Sequence, residues 1–138
     1  MSMYGKVKIT VHRGTHQIGG CCTEIEYLST RILIDIGQPL PGYEQNKLQI
    51  EGVTKGNAKC DGIFLTHYHG DHIGELSNVV LQIPIYASSC TKEFIKAYKE
   101  RIGRNYVCDI DSSRIITVSH GESVIIGDLK VRAIKADH

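Results

Sequence analysis

The stretch Gly62-Ile63-Phe64-Leu65-Thr66-His67-Tyr68-His69-Gly70-Asp71-His72-Ile73-Gly74 decides the fold. Its first part, Gly62 to Thr66, is a short apolar run of the kind that forms a buried strand. It leads directly into three histidines within six residues, His67, His69 and His72. In extended backbone, residues two apart point the same way, so His67 and His69 face one ion together and Asp71 continues that side. Gly70 is expected to permit the sharp turn such a loop requires. His72 is expected at the start of the following helix, facing differently, where it and Asp71 serve a second ion. Imidazoles with a hard carboxylate favour zinc or another divalent transition metal over calcium or magnesium. Two such ions would bridge and deprotonate a water near neutral pH, which makes Asp71 the catalytic candidate as well as a ligand. A lone histidine on a strand is usually a packing or surface residue. Three histidines and an aspartate between a strand and a helix are not explained that way.

Upstream, Val7, Ile9 and Val11 alternate with polar residues and predict a half-buried strand. Gly14, Gly19 and Gly20 punctuate a turn before a second strand, Cys22 to Tyr27. Arg31 to Ile36 is a more continuous apolar run, the pattern of a strand covered on both faces. From Gly37 to about Lys59 the pattern dissolves into a long loop of the functional or mobile kind. Downstream, Ile73, Leu76, Val79 and Val80 recur at helical spacing, and Pro84 to Ala87 reads as a short strand. A helix is predicted from Thr91 to Ile102, with Thr91 as its N-cap, Phe94, Ala97, Tyr98 and Ile102 on one face, and Gly103 as its stop. Strands follow at Ile115 to Val118, Ser123 to Ile126 and Leu129 to Lys135, the last two joined through Gly127-Asp128. Strands, interspersed helices and a hairpin predict a layered α/β or α+β domain.

The histidine-rich segment, with its preceding strand and Thr66, resembles the signature of the metallo-β-lactamase-fold hydrolases. Ile18-Gly19-Gly20, Cys22 to Glu26 and Ile32 to Gly37 resemble that superfamily's opening strands. The resemblance implies an αββα four-layer sandwich, of which this chain supplies one βα half, with residues 1–138 the N-terminal part of the domain. It implies that Asp35 supports the metal loop without ligating; the other reading of Asp35 is a strand-end turn residue. It also implies that a histidine after a downstream strand completes the first metal's three imidazoles. His138 is the candidate for that ligand; the alternative is a frayed terminal residue. Two zinc ions are implied as cofactors, with manganese or iron as alternatives.

The run from Phe64 to Leu76, with Pro84 to Ala87 and Thr91, resembles most the ribonuclease J-like, β-CASP branch, which cleaves RNA phosphodiesters with a metal-bound hydroxide. RNA or a small phosphodiester is therefore the expected substrate. Thioesterases, lactonases and other phosphodiesterases share the histidine motif, and a noncatalytic metal-binding or interaction module is a third reading. His69 stands where flavodiiron relatives carry glutamate, which argues against a diiron oxygen reductase. The family's bridging aspartate and a further histidine come after the third motif. The resemblance thus implies an incomplete second site, and a piece inactive alone. One half of such a sandwich exposes an apolar sheet face, so a homodimer or swapped assembly is expected.

Composition limits the remaining choices. The 138 residues carry 16 Lys+Arg against 15 Asp+Glu, a net charge of +1, so a strongly basic nucleic-acid binder is not indicated. No apolar run approaches the roughly 20 residues of a membrane helix, and no signal peptide follows Met1. The five cysteines, Cys21, Cys22, Cys60, Cys90 and Cys108, are odd in number and form no CxxC pair. They predict a reducing cytoplasm and buried thiols. His12, His16 and His120 fit no motif. Lys92, Lys96, Lys99, Arg101 and Arg104 give one helix a basic edge, by default a solvated face.

Overall fold

The structure is a computed structural model that describes residues 4–102 and 109–137. Its centre is a six-stranded sheet in the order β1 (Val7–Arg13), β2 (Cys22–Tyr27), β3 (Thr30–Ile34), β4 (Gly62–Phe64), β5 (Ile85–Ala87) and β6 (Ile115–Thr117). The first three strands pair antiparallel and the rest join parallel. Between β4 and β5 lies α1 (Gly70–Ile73), and α2 (Ser89–Ile102) connects β5 towards β6. A separate hairpin, β7 (Ser123–Ile126) and β8 (Leu129–Arg132), turns at Gly127, whose φ of 52° suits glycine. Asp128 in that turn accepts from the Thr30 hydroxyl at 3.2 Å and donates its N–H back to it at 2.8 Å. The hairpin is thereby docked on the start of β3.

The two sheet faces differ sharply, and strand register says why. Leu33, Ile63, Ile85 and Ile115 stand in one row across β3 to β6, and all four are fully buried. Side chains alternate along a strand, so the next row, Ile34, Phe64, Tyr86 and Ile116, faces the opposite way. There Ile116 is 48% exposed, and Phe64 stacks on Tyr86 with ring centroids 4.7 Å apart. Val7, Ile9 and Val11 of β1 are 58%, 64% and 45% exposed, which corrects the half-buried strand expected from their alternation. The alternation is real, but its apolar side faces away from the core that this chain forms.

Several local expectations are also corrected. The helix expected after the histidines is a single turn, α1, followed by a 3-10 turn at Leu76–Asn78. Burial of Ile73, Leu76 and Val79 explains the helical spacing without a helix. The helix α2 starts at Ser89, and the cap is Ser88, whose hydroxyl accepts from the Thr91 N–H at 3.1 Å. Thr91 and Ile95 are its buried residues, while Tyr98 and Ile102 stay substantially exposed. Gly103 and Arg104 lie outside the described residues. Nor is the 37–59 segment an open loop: Leu48, Ile50 and Val53 enter the core, and the Arg31 guanidinium donates to the Glu51 and Lys59 carbonyls. β6 ends at Thr117 and β8 at Arg132, short of the expected Val118 and Lys135.

Candidate metal centre

Four side chains of the opening motif meet at the carboxyl end of β4. Beyond Leu65 the chain leaves the sheet through Thr66, and His67, Tyr68 and His69 form the loop into α1. The His67 ring lies 4.7 Å from that of His69 and 4.0 Å from that of His72, so it neighbours both. Tyr68, partly buried against the core, stacks on Phe94 of α2 at 4.0 Å, fixing the loop against the helix. Gly70 opens α1 without a left-handed φ, contrary to the expected sharp turn. A side chain there would crowd the Gln38 amide.

Asp35 organises the donors. It follows β3 directly, is buried, and holds a φ of 61°, a conformation costing roughly 1–3 kcal/mol for a non-glycine residue. Its Oδ1 accepts from the Thr66 N–H at 2.8 Å, and its Oδ2 accepts from the Thr66 hydroxyl at 2.7 Å and faces His72 Nδ1 at 2.8 Å. A carboxylate only accepts, so His72 carries a proton on Nδ1, which leaves Nε2 as its candidate ligating nitrogen. The Thr66 hydroxyl has a single proton, given to Asp35. Towards His67 Nδ1, 3.0 Å away, it therefore accepts, which puts that ring's proton on Nδ1 as well. Both imidazoles thus turn Nδ1 to their supports, which makes Nε2 the candidate ligating nitrogen of each.

The second expected pair is also adjacent: His72 Nε2 lies 3.5 Å from Asp71 Oδ2. Two donors each about 2.1 Å from a tetrahedral ion stand about 3.4 Å apart, so this pair fits one ion in both chemistry and spacing. Among the described residues, no group of three or more His, Cys, Asp or Glu is disposed to hold an ion as it stands. His138, the expected further ligand, lies outside the described residues.

Behind the loop the main chain is tightly tied. The Cys21 N–H donates to the Asp71 carbonyl at 2.9 Å, Ile36 to that of His72 at 2.9 Å, and Gln38 to that of Gly70 at 3.1 Å. A side chain at Gly37 would overlap the Asp71 carbonyl, and one at Gly19 (φ 73°) would press on its carboxylate. These contacts explain why glycines flank the opening strands. Burial, then the carboxylates of Asp35 and Asp71, push the half-buried Cys21 thiol up.

Two charged residues at this centre carry no motif of their own. Glu75 is buried and pairs with Arg13 at 2.5 Å. An acidic residue between Ile73 and Leu76, both core positions, is the signal that marks it, because a buried carboxylate needs a cation. A second buried carboxylate, Glu24, lies away from the loop and pairs with Arg31 at 2.9 Å and His12 at 2.7 Å. Of the other unassigned histidines, His16 is exposed, and His120 Nδ1 accepts from the Lys135 N–H. Of the basic residues of α2, Lys99 pairs with Asp109 at 3.0 Å. No helix among the described residues is long and apolar enough to cross a membrane.

Comparison with known proteins agrees with this architecture. Residues 30–138 match the family described as Beta-lactamase superfamily domain. The ribonuclease Z of Methanopyrus kandleri is 28% identical over 117 residues, covering 83% of this chain and 38% of that protein. The chain thus spans about two-fifths of the length of that curated relative. Among solved structures, a protein of unknown function from Enterococcus faecalis V583 superposes with a TM-score of 0.68 at 19% identity, over 97% of this chain and 38% of that one. The metallo-beta-lactamase fold protein YhfI from Bacillus subtilis gives 0.56 at 17% identity, over 91% and 51%.

Proposed function

The chain belongs to the beta-lactamase superfamily, and from that premise we propose that it is the metal-binding part of a dinuclear zinc hydrolase that cleaves phosphodiester bonds, RNA foremost. The observation that carries this reading is the Asp35 carboxylate holding His72 by Nδ1 and Thr66 by two hydrogen bonds, with Thr66 in turn facing His67. That arrangement orients two neighbouring imidazoles from behind, which is the support a metal ligand calls for. We assign His67 and His69, with His138, to one ion, and Asp71 with His72 to the other. When bound, the two ions supply a Lewis acid and an activated water.

The chain's own residues contribute orientation. Asp35 fixes the imidazole of His72, Thr66 relays that constraint to His67, and Tyr68 anchors the loop on α2. Asp71 presents its carboxylate 3.5 Å from His72 Nε2, where the two would hold the second ion. The phosphodiester choice is supported by the ribonuclease Z relative, a branch related to the ribonuclease J-like one that the motif resembles.

Because the 138-residue chain is expected to be inactive alone, the test is a parallel assay of the zinc-loaded full-length gene product against RNA, an aryl phosphodiester and a thioester. Cleavage of RNA or the phosphodiester, lost in His67→Ala, is the expected result. Turnover of the thioester alone would make it a thioester or lactone hydrolase. Metal uptake with no turnover of any of the three would make it a binding module.

A further inference from the structure

We propose that Arg13 and Glu75 are positioning residues that set the Asp71–His72 ligand pair, an inference that rests on the metal reading above. Arg13 ends β1 at an irregularity of the β1–β2 register. Its guanidinium reaches four segments at once: Nε donates to the Gly20 carbonyl at 3.1 Å, Nη1 to that of Asn46 at 2.6 Å, and Nη2 to the Gly37 carbonyl and the Glu75 carboxylate. Glu75 uses its other oxygen to accept from the Leu48 N–H at 2.8 Å, and its own N–H donates to the Ile36 carbonyl at 2.9 Å. The side chains are only 13% and 5% exposed.

The segments joined in this way are the ones that hold the ligands' main chain. Gly20 precedes Cys21, whose N–H holds the Asp71 carbonyl, and Gly37 follows Ile36, whose N–H holds that of His72. Glu75 lies just past the end of α1, three residues beyond His72. The planar five-donor fork of arginine can bridge these acceptors together, whereas a lysine ammonium is a point charge on a flexible stem. Deleting one member leaves the other charge buried and lets the four segments move apart. The ligand pair would lose its 3.5 Å spacing while the histidines on the Thr66 side keep theirs.

Cobalt titration of the chain, read by visible absorption and by competition with a chelator, tests this. Arg13→Met and Glu75→Gln should each weaken cobalt binding about 10- to 100-fold, the loss typical when support behind metal ligands is removed. Glu75→Gln is the milder change and covers the case in which Arg13→Met fails to fold. Arg13→Lys should not rescue. Glu24→Gln, at an equally buried ion pair remote from the loop, should leave cobalt affinity unchanged. In a His72→Ala background, Glu75→Gln should add no further loss, because it acts through that ligand pair. Wild-type affinity in Glu75→Gln, or an equal loss in Glu24→Gln, would overturn the positioning role alone. A wild-type chain that takes up no cobalt would overturn the metal reading and this inference with it.

Discussion

His72 Nδ1 and Asp35 Oδ2 lie 2.8 Å apart, and that contact sets which nitrogen of the imidazole is left for a metal. Asp35→Asn offers an amide of the same shape that can present an N–H where the carboxylate only accepts. The expected result is a loss of about 10- to 100-fold in zinc affinity with the fold retained. Chelator competition measures it, and an unchanged affinity would count against Asp35 as the organiser of the site.

At Gly37 the constraint is steric. A methyl group there would overlap the Asp71 carbonyl, which is main chain and cannot swing away. Gly37→Ala should destabilise the protein by about 3 kcal/mol or more, at the upper end of overpacking effects. Gly42 has a φ of 94° but open space around its Cα, so Gly42→Ala should cost only roughly 1–2 kcal/mol. Urea denaturation of both variants checks the order. Equal losses would show that Gly37 does not sit as close to Asp71 as described.

Glu24 supplies the pH dependence. Burial pushes its carboxyl up, but the hydrogen bonds from Arg31 and His12 outweigh that and leave it below the ordinary carboxylate value. The folded state then binds this proton less readily than the unfolded state. The pair stabilises the fold above the ordinary carboxylate range, and the contribution is lost as pH falls through the lower folded value. The stability difference between wild type and Glu24→Gln should therefore shrink as pH falls through the carboxylate range. A difference that grows in acid would reverse the assignment.

The cysteines divide by environment. Burial pushes the Cys22 thiol up to about 12 and that of Cys60 to about 11, whereas Cys90 is exposed, which departs from the expectation of uniformly buried thiols. Cys108 lies outside the described residues. Brief alkylation of the native protein at neutral pH, mapped by mass spectrometry, should modify Cys90 and spare Cys22 and Cys60. Modification of Cys22 at the rate of Cys90 would contradict the buried placement of β2.

The apolar outer face makes a prediction about association. Val7, Ile9, Val11 and Ile116 present exposed apolar surface across the sheet, and a surface of this kind invites a partner. The 138-residue chain is expected to self-associate through it, and Ile9→Lys with Ile116→Lys should shift the species towards monomer. Light scattering that finds a wild-type monomer at micromolar concentration would defeat this.

The candidate site was more legible in the sequence than the surroundings that hold it. The spacing of His67, His69, Asp71 and His72 was legible because ligand chemistry restricts residue type and interval together. β2 was legible to the residue because the turn glycines Gly19 and Gly20 stand just ahead of it. The direction of β1 was not: alternation tells that one side is apolar, not which side the rest of the chain covers. Val79 and Leu76 suggested a helix because burial in an irregular segment also produces helical spacing. Arg13 and Glu75 are 62 positions apart, and no local pattern joins them. The packing of Leu48, Ile50 and Val53 was hidden for the same reason, since a loop that folds back on the core carries no period.

The central claim is that the motif binds metal. Its most direct measurement is the zinc content of the purified chain after saturating supply and removal of free ion, compared with His67→Ala/His69→Ala. The account predicts retained zinc in the wild type and its loss in the double variant. Equal zinc content in the two proteins would contradict it.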